Sequence, residues 1–523
     1  MAPDPSTPRL DDARRLLRRH WGHRAFRPGQ RRAVAAMLDG RDLLAVLPTG
    51  GGKSVCFQLP ALLAGGLTLV VSPLISLMED QVAGARRRGL PAAALTSNTP
   101  PPVRRRTLAA IRSGGIRLLY LSPERLASPA LLEWLRSAGV ARVAVDEAHC
   151  ISEWGHDFRP TYRRIGEAVR RLGGPPRAAF TATATPRTRA DVAASLGLED
   201  PAEVTAHVDR PNLRPSVLRC RDRDGAAGAV LEELAGERGA ALVYLPTRRR
   251  AVAMAEACRR RGIDAMPYHA GLPAGARSAV QEEFLAGGTR VVTATNAFGM
   301  GVDHPEIRLV AHVGAPGSLE AYVQEAGRAG RDGRPARCLL ASHRGDLRLQ
   351  RDFARRSWPR PGVVRAVWRA MEPGEAATVS ELVRRLAGGL PGRRPDADAV
   401  ASALRVLATS DAVREGAPSG SPGRAPGPGR GRRRGGDRPL GRSGARRTGG
   451  REEPSPGPAW RRGPDALFRR VDLGACRRGR RRARRRRWAM RRYRLTRGCR
   501  RAVVARWFGH RPPACAGCDR CGG

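Results

Sequence analysis

The chain has 523 residues, 95 of them lysine or arginine against 48 aspartate or glutamate, for a net charge of +47 and a pI near 11.7. That excess calls for a polyanionic partner, nucleic acid first, or for a strongly solvated tail, and the length suffices for about three or four domains with sizeable cores. No apolar run of about 18 residues occurs and the opening MAPDPSTPRLDDARR lacks a hydrophobic signal core, so the pattern excludes a membrane span and predicts a soluble, cytoplasmic protein.

From about residue 40 to 345, short apolar runs alternate with helical patterns. DLLAVLP, LTLVVSP, IRLLYLSP, ARVAVDEAH and RAAFTATA come first, then ALVYLPT, AMPYHAG, TRVVTATN, IRLVAHVG and ARCLLAS. Strands of this kind predict two α/β lobes, each a parallel sheet covered by helices on both faces. The pattern lapses near 200 to 215, in LEDPAEVTAHVDRPNLRP, which divides the lobes into 1–205 and 206–345. Ligands of such sheets gather at the carboxyl ends of the strands.

The first strand runs into Thr49, Gly50, Gly51, Gly52, Lys53 and Ser54, and Lys53 is the only lysine in the chain. Glycines let backbone N–H groups turn inward around a phosphate at the positive end of the following helix. A compact ammonium enters that cradle where a broad guanidinium fits poorly, so Lys53 marks the phosphate site. Ser54 is then placed to hold Mg²⁺. Leu47 stands where the strict GxxxxGK[ST] pattern has its first glycine. About a hundred residues on, ARVAVDEAH ends in Asp146, suited to the metal, and Glu147, suited to orienting or deprotonating a water. In the second lobe, YVQEAGRAGRDG spaces Gln324, Arg328 and Arg331 at i, i+4 and i+7. That spacing predicts one helical face able to bring two guanidiniums to one anion.

Residues 346–416 hold three short amphipathic patterns, PGVVRAVWRAM, TVSELVRRLAGG and DADAVASALRVLATS, and a strand-like DAVREG. These fit a winged-helix module, or equally a plain three-helix core. From 417 to 490 the chain carries 23 arginines against five acids, a composition that predicts a disordered basic linker over 417–487. A GC-rich gene read briefly out of frame yields the same composition. In the closing segment, 488–523, Cys499, Cys515, Cys518 and Cys521 form C-x15-C-x2-C-x2-C, the ligand set of a tetrahedral Zn²⁺ site.

Taken together, these motifs resemble the RecQ family of ATP-dependent DNA helicases, in helicase superfamily 2, over about 15–345 and again over 488–523. WGHRAFRPGQ is similar to the family's adenine-reading motif and implies Gln30 on the base edge, Arg27 beside it and His23 at the stacking position, where an aromatic ring is usual. PTGGGKS and DEAH match the Walker loops. VSPLISLMEDQV, FTATA, LVYLPTRRRAV, YHAGL and TATNAFGMGVD resemble the other superfamily motifs, implying Asp303 near the nucleotide and Thr181 and Thr183 in coupling. CISEWGHDFRPTYRRIG resembles the aromatic-rich loop particular to the family, with Trp154, His156, Phe158 and Arg159 implied on single-stranded DNA, where stacking is indifferent to sequence.

The fold implied is two tandem RecA-like lobes, followed by the winged-helix-like module, the Arg/Gly/Pro-rich tract and the zinc module. Relatives place the zinc segment directly after the second lobe, with any winged helix following it; here the order is reversed. The implied cofactors are ATP, Mg²⁺ and Zn²⁺, and the implied partners are single-stranded and forked duplex DNA, with single-strand binding protein a candidate. The implied action is 3′ to 5′ unwinding in recombination and repair in the bacterial cytoplasm, at the nucleoid. Two alternatives remain open at this stage: a DEAH-type RNA-remodelling ATPase, and a DNA-binding protein with impaired helicase activity.

Overall fold

A computed structural model describes residues 7–96, 98–152, 159–299, 304–388, 396–416 and 459–522. It divides into two compact units, 1–350 with 484–523, and 351–483. Among the described residues no helix is long and apolar enough to cross a membrane.

The first lobe is built on seven strands: β1 Leu43–Val46, β2 Leu67–Val71, β3 Ala92–Leu95, β4 Leu118–Leu121, β5 Val140–Val145, β6 Arg177–Thr181 and β7 Ala202–Thr205. They pair in the order β3-β4-β2-β5-β6-β1-β7, all parallel. Every residue of β1, β2, β4 and β6 is buried, as expected where helices cover both faces and apolar residues need not alternate. Behind β1 the helix Lys53–Leu63 sends Phe57 into the core, edge-on to Phe180 with ring centroids 5.4 Å apart.

The second lobe repeats the scheme with β8 Leu213–Arg219, β9 Ala240–Tyr244, β10 Ala265–Tyr268, β11 Val291–Ala294, β12 Ile307–Val313 and β13 Ala336–Ser342. Their order is β10-β11-β9-β12-β13-β8, again parallel throughout. The ten apolar runs thus became strands, while β3, β7 and β8 were not among them. β7 and β8 lie in the stretch where the pattern lapses. Both pair on one side only, β7 with β1 and β8 with β13, so their outer residues can stay polar and the strand signal is diluted.

In the unit 351–483, the helices Pro361–Arg369, Val379–Arg385 and Ala397–Ala408 share a core with Trp368, Leu382 and Leu404 buried in it. Beside them an antiparallel sheet is ordered β14-β16-β15, from β14 Ala376–Thr378, β15 Val413–Gly416 and β16 Ala459–Arg462. This corrects the reading of 417–487 as linker throughout. β16 supplies the central strand, with Trp460 9% exposed, and the helices Asp465–Phe468 and Leu473–Leu495 follow it. A few apolar side chains in a mostly arginine sequence, Trp460, Val471 and Cys476, are buried in the same core, and so sparse a set escapes a periodicity argument. Residues 417–458 lie outside the described set.

Candidate nucleotide and DNA site

The turn between β1 and the helix Lys53–Leu63 is closed by glycine. Gly50 and Gly52 sit at φ +77° and +74°, the left-handed region that side chains avoid. A Cβ on Gly52 would come within 2.3 Å of Gln30 Nε2. That amide donates to the carbonyls of Gly51 and Gly52, both at 3.1 Å, while Gln30 Oε1 accepts the Arg27 N–H at 2.8 Å. The Arg27 guanidinium donates to the Gly50 carbonyl. Gln30 and Arg27 therefore brace the loop. Leu47, in the place of the missing glycine, is buried and its N–H donates to the Thr181 carbonyl at 3.0 Å, so that position serves packing.

Lys53 opens the helix and points its charge into a cleft of about 720 Å³. The Ser54 hydroxyl accepts a hydrogen bond from Gln81 Nε2 at 2.9 Å, and the Gln58 amide donates to Tyr120 Oη at 3.0 Å and Gln81 Oε1 at 3.3 Å. This amide network was not assigned a role from the sequence, although Gln81 lies inside the quoted VSPLISLMEDQV.

β5 delivers Asp146 and Glu147, 5% and 9% exposed. The chain turns sharply there, with Glu147 at φ +47° and its N–H donating to Asp146 Oδ1 at 2.9 Å. Burial, then the neighbouring Glu147 charge, push the Asp146 carboxyl up to about 6, with Lys53 acting the other way. Two carboxylates held together in a low-dielectric site repel, and a dication relieves that repulsion. The donor set, with the Ser54 hydroxyl and Lys53 in the same cleft, thus fits Mg²⁺ and a triphosphate. His149 ties Glu147 to the next motif: its Nδ1 is 3.3 Å from Glu147 Oε2 and 3.0 Å from Thr181 Oγ1. The Thr183 N–H donates to that same hydroxyl at 3.3 Å.

The opposite wall comes from the second lobe. Gln324, Arg328 and Arg331 line the cleft together with His23, Arg27, Gln30, Thr49, Gly50, Gly52, Lys53, Ser54, Asp146 and Glu147; Gly51 turns its carbonyl to Gln30, and Asp303 lies outside the described residues. The expectation of one continuous helical face is corrected. The helix Leu319–Ala326 stops before the arginines, which sit in the turns that follow, with Gly330 at φ +54°. Arg328 is 5% exposed, its Nε has no hydrogen-bond partner among the described residues, and its guanidinium meets the Tyr244 hydroxyl. The stem of Arg331 lies against the phosphate loop, where a Cβ on Gly50 would meet its Cγ at 3.3 Å.

Of the aromatic-rich segment, Trp154, His156 and Phe158 lie outside the described residues. Arg159 follows them, its N–H donating to the Cys150 carbonyl at 2.9 Å and its guanidinium to the Pro73 carbonyl at 2.7 Å. Tyr162 Oη donates to the Asp146 carbonyl at 3.3 Å. The C-terminal flank of the segment is therefore fastened to the Asp146 backbone and to Cys150, four residues further on.

The ligand atoms of Cys499, Cys515, Cys518 and Cys521 all lie within 4.8 Å of one another. Zn–S bonds near 2.3 Å set tetrahedral sulfur spacings of roughly 3.8 Å, so four thiols this close fit Zn²⁺. Burial raises the Cys518 thiol, but backbone N–H groups of Arg500 and Arg520 and the neighbouring cysteines outweigh it and hold the thiol down to about 7.

Residues 27–192 match the DEAD/DEAH box helicase family and residues 226–333 the helicase conserved C-terminal domain. The chain is 44% identical over 336 residues to a Bacillus subtilis protein named "Probable ATP-dependent DNA helicase RecS", covering 64% of this chain and 67% of the relative. It is likewise 44% identical over 334 residues to the ATP-dependent DNA helicase RecQ of Synechocystis, covering 62% and 69%. The chain belongs to the RecQ family of helicases. Among solved structures, Mycobacterium smegmatis helicase Lhr bound to single-stranded DNA and AMP-PNP shares the fold of this RecQ chain, at TM-score 0.51 and 23% identity over 77% of this chain and 57% of that one.

The cysteine-rich segment of this RecQ protein follows the helices and antiparallel sheet of 351–483 in sequence yet packs on the second lobe. Ala489, Met490 and Tyr493 are buried in that lobe's core, and Tyr493 Oη donates to Tyr322 Oη at 2.9 Å. Arg500, fully buried, is paired with Asp519 and donates to the Tyr493 carbonyl at 2.6 Å; Asp519 accepts the Val217 N–H of β8 at 3.2 Å. No spacing in the sequence announces the contacts with the lobe, because they join distant residues: Tyr322 to Tyr493 across 171 positions and Val217 to Asp519 across 302.

Proposed function

We propose that this RecQ chain is an ATP-driven DNA helicase that translocates 3′ to 5′ on single-stranded DNA and unwinds forked duplexes in recombination and repair. The observation that carries this is the single cleft in which Lys53, Asp146 and Glu147 of one lobe face Gln324, Arg328 and Arg331 of the other. Lys53 and the N–H groups of the glycine loop bind the β and γ phosphates of ATP. Ser54 and Asp146 hold Mg²⁺, which when bound neutralises the phosphate oxygens. Glu147 orients the attacking water and takes its proton, held in place by His149. Arg328 and Arg331 stabilise the charge that develops on the γ phosphate, with Gln324 beside them. His23, Arg27 and Gln30 read the adenine, and Asp303 lies near the nucleotide.

Charge on the fingers is useful only when the lobes are closed, so each hydrolysis drives a closing and reopening that shifts the lobes along the strand. Trp154, His156, Phe158 and Arg159 hold unpaired bases, and Thr181 and Thr183 pass the state of Glu147 to them. The helices and antiparallel sheet of the unit 351–483 support a winged-helix module that grips duplex DNA, and Zn²⁺ on the four cysteines supports the zinc module structurally. Single-strand binding protein is a partner of the exposed strand, and the setting is the nucleoid.

Strand displacement on duplexes with 3′ or 5′ tails, with ATP and Mg²⁺, tests this: a 3′ tail should be required. ATPase activity stimulated by RNA oligonucleotides and not by DNA would overturn it in favour of an RNA remodeller.

A further inference from the structure

The arginines that face the phosphate loop are not carried by a helix, so something else must hold them. The helix Leu319–Ala326 ends one turn early, and the chain through Arg328 and Arg331 is a series of turns. Carbonyls of these turns are gripped by the linker between the lobes. Arg210 donates through one guanidinium nitrogen to the Gly327 carbonyl at 2.7 Å and through another to the Gly330 carbonyl, so that its fork brackets Arg328. Asn212 Nδ2 donates to the Gly330 and Arg334 carbonyls, both at 2.8 Å. The linker is gripped in turn by the zinc module. Arg501, 4% exposed, donates to Asp209 Oδ1 at 2.6 Å, to the carbonyls of Arg210 and Pro211 at 3.2 and 3.0 Å, to the Leu213 carbonyl, and to Gly517 O inside the cysteine-rich turn at 3.3 Å.

We propose that Arg210 is a positioning residue for the Arg328 finger, and that Arg501 anchors it, so that the folded zinc module sets the geometry of phosphate attack in the cleft. The proposal rests on the reading of Arg328 as a phosphate-contacting group. A planar fork reaching two carbonyls three residues apart fixes both the position and the orientation of the turn between them, which a single ammonium cannot do. Because Arg210 is in the linker, the finger turns follow the linker when the lobes move.

The full-length, zinc-loaded protein carrying Arg210→Ala, Arg328→Ala or both is assayed for DNA-stimulated ATP hydrolysis, with melting temperature and zinc content measured alongside. Misplacing a transition-state group by about 1 Å costs on the order of 10²-fold, so Arg210→Ala should lower kcat about 10- to 100-fold while the KM for ATP stays within about 2-fold. In the Arg328→Ala background the same change should cost nothing further, a non-additivity that general loss of stability does not produce. If Arg210→Ala melts several degrees lower, Arg210→Lys, which keeps the charge and reaches one carbonyl, replaces it in the cycle. Arg501→Lys should lower kcat in the same direction, and that loss should vanish in the Arg210→Ala background. Additive losses, or an unchanged kcat in Arg210→Ala, overturn the proposal while leaving the motor reading intact. Wild-type kcat in Arg328→Ala overturns both.

Discussion

An arginine ends in a planar guanidinium broader than the lysine ammonium and spreads its charge over that plane, and the cup around Lys53 is made of backbone drawn tight by Gln30 and Arg27. A chain that uses arginine at every other long basic position still has its one lysine here. Lys53→Arg should therefore be nearly as damaging as Lys53→Ala: each should lower ATP turnover by on the order of 10²- to 10³-fold, the cost of removing one charge-stabilising donor. Binding of single-stranded DNA, followed by fluorescence anisotropy, should persist in both. Loss of DNA binding instead would contradict the phosphate role. Gln81 is a subtler case, because it touches the hydroxyl assigned to the metal rather than the metal itself. Residues that orient a metal's ligands commonly contribute 10- to 100-fold in affinity, so Gln81→Ala should raise the Mg²⁺ concentration for half-maximal hydrolysis about 10-fold, with little change at saturation.

At the scale of elements, the segment after DEAH is tied to the Asp146 strand end through its C-terminal flank. Arg159 is fastened to Cys150 and Pro73, and Tyr162 to the Asp146 carbonyl, so a shift of that flank reaches the Asp146 backbone through hydrogen bonds. Replacing Trp154 and Phe158 together by alanine should leave the DNA-independent ATPase rate near wild type and abolish its stimulation by DNA, measured as phosphate release with and without an oligonucleotide. Each lost stack is worth about 1–3 kcal/mol of strand binding. The glycine turn and the acidic pair at a strand end were legible in the sequence because their chemistry is local, each occupying fewer than 20 residues. The edge strands β7 and β8 were not, since one-sided pairing leaves polar residues in them. The finger turns were misread as helix because i, i+4, i+7 spacing is also compatible with two successive glycine-bounded turns, and Gly327 and Gly330 decide between them. The contacts of Arg501 with the linker and of Asp519 with β8 were invisible for a different reason. They join residues nearly 300 positions apart, Arg501 to Asp209 for instance, and one sequence contains nothing that pairs them.

For the molecule as a whole, two properties follow from parts acting together. The zinc module shares a core with the second lobe and a buried ion pair, Arg501 to Asp209, with the start of that lobe, so its metal should stabilise more than its own 36 or so residues. Chelating zinc, or Cys518→Ser, should lower the melting temperature of the lobe and speed hydrogen exchange along β8, while nucleotide affinity changes little; protection of β8 that is indifferent to zinc would refute the shared fold. The second property is charge. A net +47 on 523 residues gives DNA binding a large contribution from released counterions, whose effect scales with the number of phosphates neutralised and not with base identity. If about 6–10 phosphates are contacted, affinity for single-stranded DNA should fall by roughly 10³- to 10⁵-fold between 50 and 200 mM salt. The slope of log affinity against log salt should be the same for oligonucleotides of different sequence, because stacking and phosphate contacts read neither base edges nor grooves. Titrations at four or five salt concentrations on two unrelated sequences measure it. A shallow slope, or slopes that differ between sequences, would mean that the arginine excess is directed away from the nucleic acid and that recognition depends on base contacts instead.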